Sequence, residues 1–265
     1  MSNHTISIGI KQHGLNSQGF FSYNEPNNLI VFIHGFGGNS IGTWNNFPNY
    51  IASESDFANS DIIFYGYDTF KGQAGDHSAQ LFEFLNLLEN PLANHILPIE
   101  QGLPERNYSK VILVAHSLGA ILTRQALIFA IDENKSWATK VSLALFAPAH
   151  HGASIVHLAM QALPGLTGLL GIFAKLRYPI LNDLDHTEEG IIHSIKEKTH
   201  ELQRQNKGDC TKAKLVVYAM GDNVVRNFQY LNDITPDVIQ ETSHVSVCKP
   251  KSGFTKPLDL LKSII

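Results

Sequence analysis

Ser117, Asp222 and His244 occur in this order along the chain, each at or just beyond a run of residues that reads as a buried strand. A serine hydroxyl is a weak nucleophile until a histidine takes its proton. The histidine in turn needs a carboxylate to fix its tautomer and stabilise the imidazolium. Together these three residue types perform one chemistry, attack on an acyl carbonyl through a covalent acyl-serine. Ser117 lies within Val111-Ile112-Leu113-Val114-Ala115-His116-Ser117-Leu118-Gly119-Ala120, a strand that runs straight into a helix. That context holds a serine on a tight turn with its hydroxyl above the sheet. The usual pattern is G-x-S-x-G; here Ala115 replaces the first glycine and keeps a small side chain at that point. A serine at a helix start can also serve only as a cap for an orphan amide, so the assignment rests on the whole set of residues.

Acyl transfer also needs amide donors aimed at the oxyanion, and losing one typically costs about 3 kcal/mol of barrier. The run Leu29-Ile30-Val31-Phe32-Ile33-His34-Gly35-Phe36-Gly37-Gly38 is a buried strand ending in a glycine-rich turn. The backbone amides of Phe36 and Leu118 are the expected donors. A dinucleotide fingerprint fits the same turn poorly, because Ser40 stands where a third glycine belongs and Asp68 lies too far on for the ribose acid. No Gly-Lys-Ser or Gly-Lys-Thr follows to make a phosphate loop. No cofactor is therefore expected.

The strand Lys214–Ala219 leads into Met220-Gly221-Asp222, which makes Asp222 the candidate acid. His244 follows a short strand, Val238 to Gln240, in a polar loop and is the candidate base. Asp233 and Asp237 are nearer to His244 in sequence and remain alternatives to Asp222. The pair His150-His151, with His157 and His186 beyond, invites a metal reading. Adjacent histidines point to opposite sides of an extended chain, and no spaced carboxylate or cysteine completes a set, so no metal is expected. A role lining the site beside Ser117 is expected for the pair instead.

The elements that must position these residues alternate. Strands are expected over Leu29–Ile33, Ile62–Tyr67, Val111–Ala115, Val141–Phe146 and Leu215–Ala219, and nearly all are apolar on both faces. Helices are expected over Asn45–Ser53, Ser78–Leu88, Leu118–Ala130 and Ile191–Gln205. Strands without polar alternation suit a parallel sheet covered on both faces, whose active sites form beyond the carboxyl ends of the strands. The 265 residues, 43% hydrophobic, read as one domain spanning 1–265. Residues 155–205 exceed a simple crossover and include the apolar run 163–174 with glycines at 165, 168 and 171, which reads as a cap or lid.

Twenty Lys and Arg against 24 Asp and Glu, with no basic tract, argue against nucleic acid as a partner. Charged residues are 17% of the chain, below the roughly 25% usual for soluble domains, which points to apolar partners. The two cysteines, Cys210 and Cys248, form neither a zinc motif nor a disulfide framework and read as free thiols. The first residues lack a basic start followed by an apolar run, and the stretch from Val156 to Leu176 is interrupted by polar residues and proline. A cytoplasmic setting is expected, with peripheral membrane contact.

The residues above resemble the α/β-hydrolase superfamily, in particular its lipase-like serine esterases. The marks are Ile33-His34-Gly35-Phe36-Gly37, Ala115-His116-Ser117-Leu118-Gly119, Ala147-Pro148-Ala149-His150-His151-Gly152-Ala153-Ser154, Gly221-Asp222 and His244 through Lys249-Pro250. The third of these and the closing His-x-x-x-Cys-Lys-Pro are similar to stretches of the glycosylphosphatidylinositol inositol-deacylase and related lipid-remodelling esterases. The resemblance implies an α/β-hydrolase fold with a mostly parallel sheet and a helical cap. It also implies hydrolysis of a small-molecule or lipid ester, with Ser117 as nucleophile and no cofactor. A thioesterase or acyltransferase would use the same residues, and a non-catalytic binding protein of the same fold is the alternative outside enzymes.

Overall fold

The computed structural model describes residues 3–5, 8–10, 16–89, 103–153, 178–182 and 190–265. Eight strands form one sheet: β1 (Ile8–Ile10), β2 (Ser17–Phe20), β3 (Asn28–Ile33), β4 (Ser60–Tyr65), β5 (Lys110–His116), β6 (Val141–Phe146), β7 (Ala213–Ala219) and β8 (Asp237–Ile239). Their spatial order is β1-β2-β4-β3-β5-β6-β7-β8. The β1–β2 and β2–β4 pairs are antiparallel and every other pair is parallel.

The helices are α1 (Phe47–Ser53), α2 (Ala74–Glu89), α3 (Leu118–Asp132), α4 (Ile191–Arg204) and α5 (Lys256–Lys262), with one further turn at Pro179–Asn182. From β3 the chain steps one way to β4, then back across β3 to β5 and onward to β6 and β7. Right-handed crossovers therefore put α1 on one face and α2, α3 and α4 on the other. Helix α3 packs against both α2 and α4. Lys262 of α5 pairs with Glu54 and Asp56 just past α1 and so covers the α1 face. With both faces covered, β4, β6 and residues Leu29–Ile33 of β3 are buried along their whole length.

All the expected strands and helices are present, with shifted ends. Strand β4 stops at Tyr65 because the next two amides turn elsewhere: Gly66 N–H donates to Ser17 Oγ (3.0 Å) and Tyr67 N–H to His34 Nε2 (3.3 Å). Strands β1 and β2 carry no long apolar run and were not expected; they extend the sheet beyond β4. Cys210 and Cys248 are both buried and free. The apolar run 163–174 and most of the expected cap lie outside the described residues; within it stand the turn at Pro179–Asn182 and α4. Among the described residues, no helix is long and apolar enough to cross a membrane.

The carboxyl ends of the central strands are flush. Ile33 at the end of β3 pairs with Ala115 of β5, which in turn pairs with Leu145 of β6. The turn after β3 and the turn after β5 therefore emerge side by side. They touch through glycines: a Cβ on Gly119 would sit 2.5 Å from the carbonyl oxygens of both Ile33 and His34, and one on Gly35 would sit 2.8 Å from Ser117 Cβ. Gly119→Ala is therefore expected to destabilise the fold by about 1–3 kcal/mol, as overpacking against fixed backbone does. The check is a lowered urea midpoint with an unchanged m-value.

Candidate active site

Ser117 joins β5 to α3 with φ 53° and ψ −119°, a backbone conformation that a side chain normally avoids. Such a turn is held only when its surroundings over-determine it. Here Ser117 N–H donates to Phe146 O (3.0 Å), and Ser117 O accepts from the amides of Ala120 (3.1 Å) and Ala149 (3.3 Å). The Ser117 hydroxyl makes no capping bond to α3, so the reading of Ser117 as only a helix cap does not hold. Its Oγ instead donates to His244 Nε2 at 2.8 Å.

His244 Nδ1–H donates to Asp222 Oδ2 at 2.9 Å, and the side chains of both residues are buried. The other carboxylate oxygen, Oδ1, accepts the amides of Val224 (2.8 Å) and Val225 (3.0 Å). Burial pushes the Asp222 pKa up, but the hydrogen bond and charge of His244 and the two amides outweigh it and hold it below the ordinary carboxylate value. The three residues singled out in the sequence are thus joined in one hydrogen-bonded chain.

Asp233 is engaged elsewhere. It forms an ion pair with the fully buried Arg124 of α3 and accepts the Ala213 amide (2.8 Å). Asp237 is exposed on β8. Neither competes for His244. Of the histidine pair, His150 Nε2 accepts from Arg124 Nε (2.9 Å), and its ring packs on Tyr230 at 4.4 Å. Its Nε2 thereby meets one of the hydrogen-bonding demands of a buried guanidinium. His151 lies beside the rings of Phe228 and Tyr230, and His157 and His186 fall outside the described residues. Among the described residues no cluster of His, Cys, Asp or Glu could hold a metal ion.

The turn after β3 is rigidly built. His34 Nδ1–H donates to Gly35 O (2.9 Å), its ring stacks on Tyr67 at 4.3 Å, and Tyr67 Oη–H donates to His34 O (2.8 Å). Gly37 N–H is taken by Thr69 Oγ1 (3.0 Å) and Gly38 N–H by Gly35 O (3.1 Å). Gly37 has φ 68°, which only a residue without Cβ adopts freely. Among the described residues, no acceptor engages the amides of Phe36 and Leu118. A cleft of about 310 Å³ opens between this turn and the turn that carries His244.

Sequence reasoning missed His116. Its Nε2–H donates to the backbone carbonyl of His244 at 2.8 Å, and the two rings lie 5.0 Å apart. His116 thereby fixes the backbone of the residue whose ring meets Ser117. The partner is 128 positions away, so no local pattern could announce the contact. Both His34 and His116 are held neutral: burial lowers the first to about 4 and the second to about 3.

The sheet order, the strained serine after β5 and the carboxylate and histidine after β7 and β8 define an α/β-hydrolase fold. Residues 23–149 match the family described as "Putative serine esterase (DUF676)". That match spans both the glycine turn and the elbow, in keeping with the resemblance to serine esterases of the α/β-hydrolase superfamily. No curated protein matches the chain. Among solved structures, the chain is similar to carboxyl esterase 2 of the mycorrhizal fungus Tuber melanosporum, with 16% identity over 100% of this chain and 85% of that one and a TM-score of 0.57. It is also similar to the mature lipase BlEst2 of Bacillus licheniformis, with 18% identity over 89% of this chain and 91% of that one and a TM-score of 0.54. A third is the monoacylglycerol lipase of Paleococcus ferrophilus, at 15% identity over 94% and 98% of the two chains with a TM-score of 0.54. At these identities the likeness is one of fold.

The buried histidines set an acid limit. An unfolded chain protonates them near pH 6.5, whereas the folded chain resists until about pH 4 at His34 and about pH 3 at His116. Depressed folded values mean that the unfolded state binds more protons in that window, so stability is full above about pH 6.5 and falls as the pH drops. Each histidine contributes a slope of up to about 1.4 kcal/mol per pH unit. Urea unfolding at pH 7, 6 and 5 is expected to show falling stability, and His116→Gln a shallower slope.

Proposed function

We propose that the protein is a serine esterase acting on carboxyl esters with an apolar acyl group, lipid esters among them. The observation that carries this reading is the hydrogen-bonded chain Ser117–His244–Asp222 beside two unengaged amides. His244 takes the Ser117 proton as Oγ attacks the ester carbonyl, and Asp222 holds the imidazole and steadies the imidazolium. The amides of Phe36 and Leu118 receive the oxyanion of the tetrahedral intermediate. As the intermediate collapses, the alcohol leaves with the proton from His244, and a water activated by the same histidine releases the acid from the acyl-serine.

The match to a serine esterase family and the fold shared with esterases and lipases support the hydrolytic class. The apolar character of the substrate is supported by exposed Met220, Phe228 and Val245, which lie on the same two loops as Asp222 and His244. A non-catalytic binding protein has no need of a strained serine whose hydroxyl is donated to a carboxylate-backed histidine. Thioester cleavage or acyl transfer would change only the leaving group or the acceptor.

A fluorophosphonate is expected to add one adduct to the folded protein and none to Ser117→Ala, as read by intact mass. No adduct on folded protein would overturn the nucleophile. Asp222→Asn is expected to keep the fold but lower turnover of a nitrophenyl ester by about 10³–10⁴-fold, because the amide favours the wrong imidazole tautomer. Unchanged turnover in that variant would remove Asp222 from the mechanism.

A further inference from the structure

The cleft that His244 shares with the Gly35–Gly38 turn has one charged residue among the described residues of its wall. Its lining includes Asn39, Thr43, Val245 and Lys249, and no carboxylate is among the described lining residues. Lys249 is half-buried, and among the described residues its side chain has no ion pair or hydrogen bond. Its backbone is fixed, because Lys249 N–H donates to Ser246 O (3.0 Å) and its neighbours Cys248 and Pro250 are buried. Pro250 O also accepts from Asn45 Nδ2 (3.2 Å), tying this segment to the region that follows the glycine turn. His116, the other basic residue in the wall, is neutral, and its Nδ1 is buried with no hydrogen-bond partner among the described residues. A half-buried lysine with no ionic partner among the described residues favours an anionic occupant.

The chemistry says which part of a substrate that occupant is. In the mechanism proposed above, on which this inference rests, His244 must return its proton to the leaving oxygen. The alcohol attached to that oxygen therefore lies against His244, on the side where the cleft opens. We infer that Lys249 is a specificity-determining residue that selects esters whose leaving alcohol carries an anionic group, a phosphate monoester foremost. The reaction remains plain ester hydrolysis: the acyl–oxygen bond breaks, Ser117 Oγ takes the acyl group, the proton from His244 goes to the alcohol oxygen, and the phosphate departs unchanged on the alcohol.

The test compares 1-butanoyl glycerol with 1-butanoyl glycerol 3-phosphate, which share acyl group and leaving oxygen and differ in charge. Wild type is expected to prefer the phosphate ester in kcat/KM by about tenfold, the order expected of one charge-assisted contact in a half-open cleft. Lys249→Met is expected to abolish that ratio, Lys249→Arg to keep most of it, and added salt to shrink it. Equal ratios in wild type and Lys249→Met would overturn the inference. Repeating the pair with dodecanoyl esters distinguishes a lipid head group from a soluble phosphorylated alcohol as the source of the anion. Binding of glycerol 3-phosphate to Ser117→Ala, followed by ligand-observed NMR with and without Lys249→Met, separates the two readings. Loss of binding in the Lys249 variant supports the anion site even if the esterase reading fails; binding that does not depend on Lys249, or none at all, overturns the site whether or not esters are cleaved.

Discussion

Everything at the site depends on how closely the start of α3 approaches the end of β3. Without a Cβ at position 119, the helix seats against the carbonyl oxygens of Ile33 and His34. That seating lets Ser117 remain in a left-handed conformation costing on the order of 1–3 kcal/mol. The same contact brings the Leu118 amide beside the turn that carries Phe36. One close approach of backbone to backbone thus fixes both where the hydroxyl stands and where the two unengaged donors stand. The bonds from Ser117 to Phe146, Ala120 and Ala149 distribute the strain over β6, α3 and the chain beyond β6.

The second organising force is the cost of burying imidazoles. His34 and His116 are bonded and buried so thoroughly that they stay neutral, and each then acts as a fixed strut: His34 beneath the glycine turn, His116 beneath the carbonyl of His244. His150 meets the opposite need, accepting from a guanidinium that would otherwise be short of partners. Three of the histidines are thus architectural, and among the described residues His244 alone is bonded to both a serine hydroxyl and a carboxylate.

Much of this was legible in the sequence because local context marks the residues that the fold brings together. A serine between an apolar strand and a helix, and a carboxylate just past another apolar strand, are local patterns, and their order along the chain restricts the fold. Asp222 is preferred to Asp233 because it directly follows a strong apolar strand; what the sequence does not show is the partner of Asp233, since Arg124 is a buried cation 109 positions away. The same cation engages Nε2 of His150. Strands β1 and β2 escaped notice because Ser17-Gln18-Gly19-Phe20 has too few apolar residues to stand out; it is pairing with β4 that makes it a strand. His116 occupies the variable place of the elbow pattern, where residue type says nothing until the chain has folded.

Asp233, the partner of Arg124, lies in the same connection as Asp222, between β7 and β8. The first part of that connection is secured by the two amides bound to Asp222 and by the bridge from Val225 to Ala153. Its far part is bound to α3, the helix that Ser117 precedes. Between these anchorages the side chains of Arg226 to Gln229 are exposed. The connection is therefore divided between conserving geometry and permitting variety: a short exposed arc can be rewritten to meet different surfaces while the carboxylate and the hydroxyl keep their separation, as a tool head is exchanged on an unmoving mount.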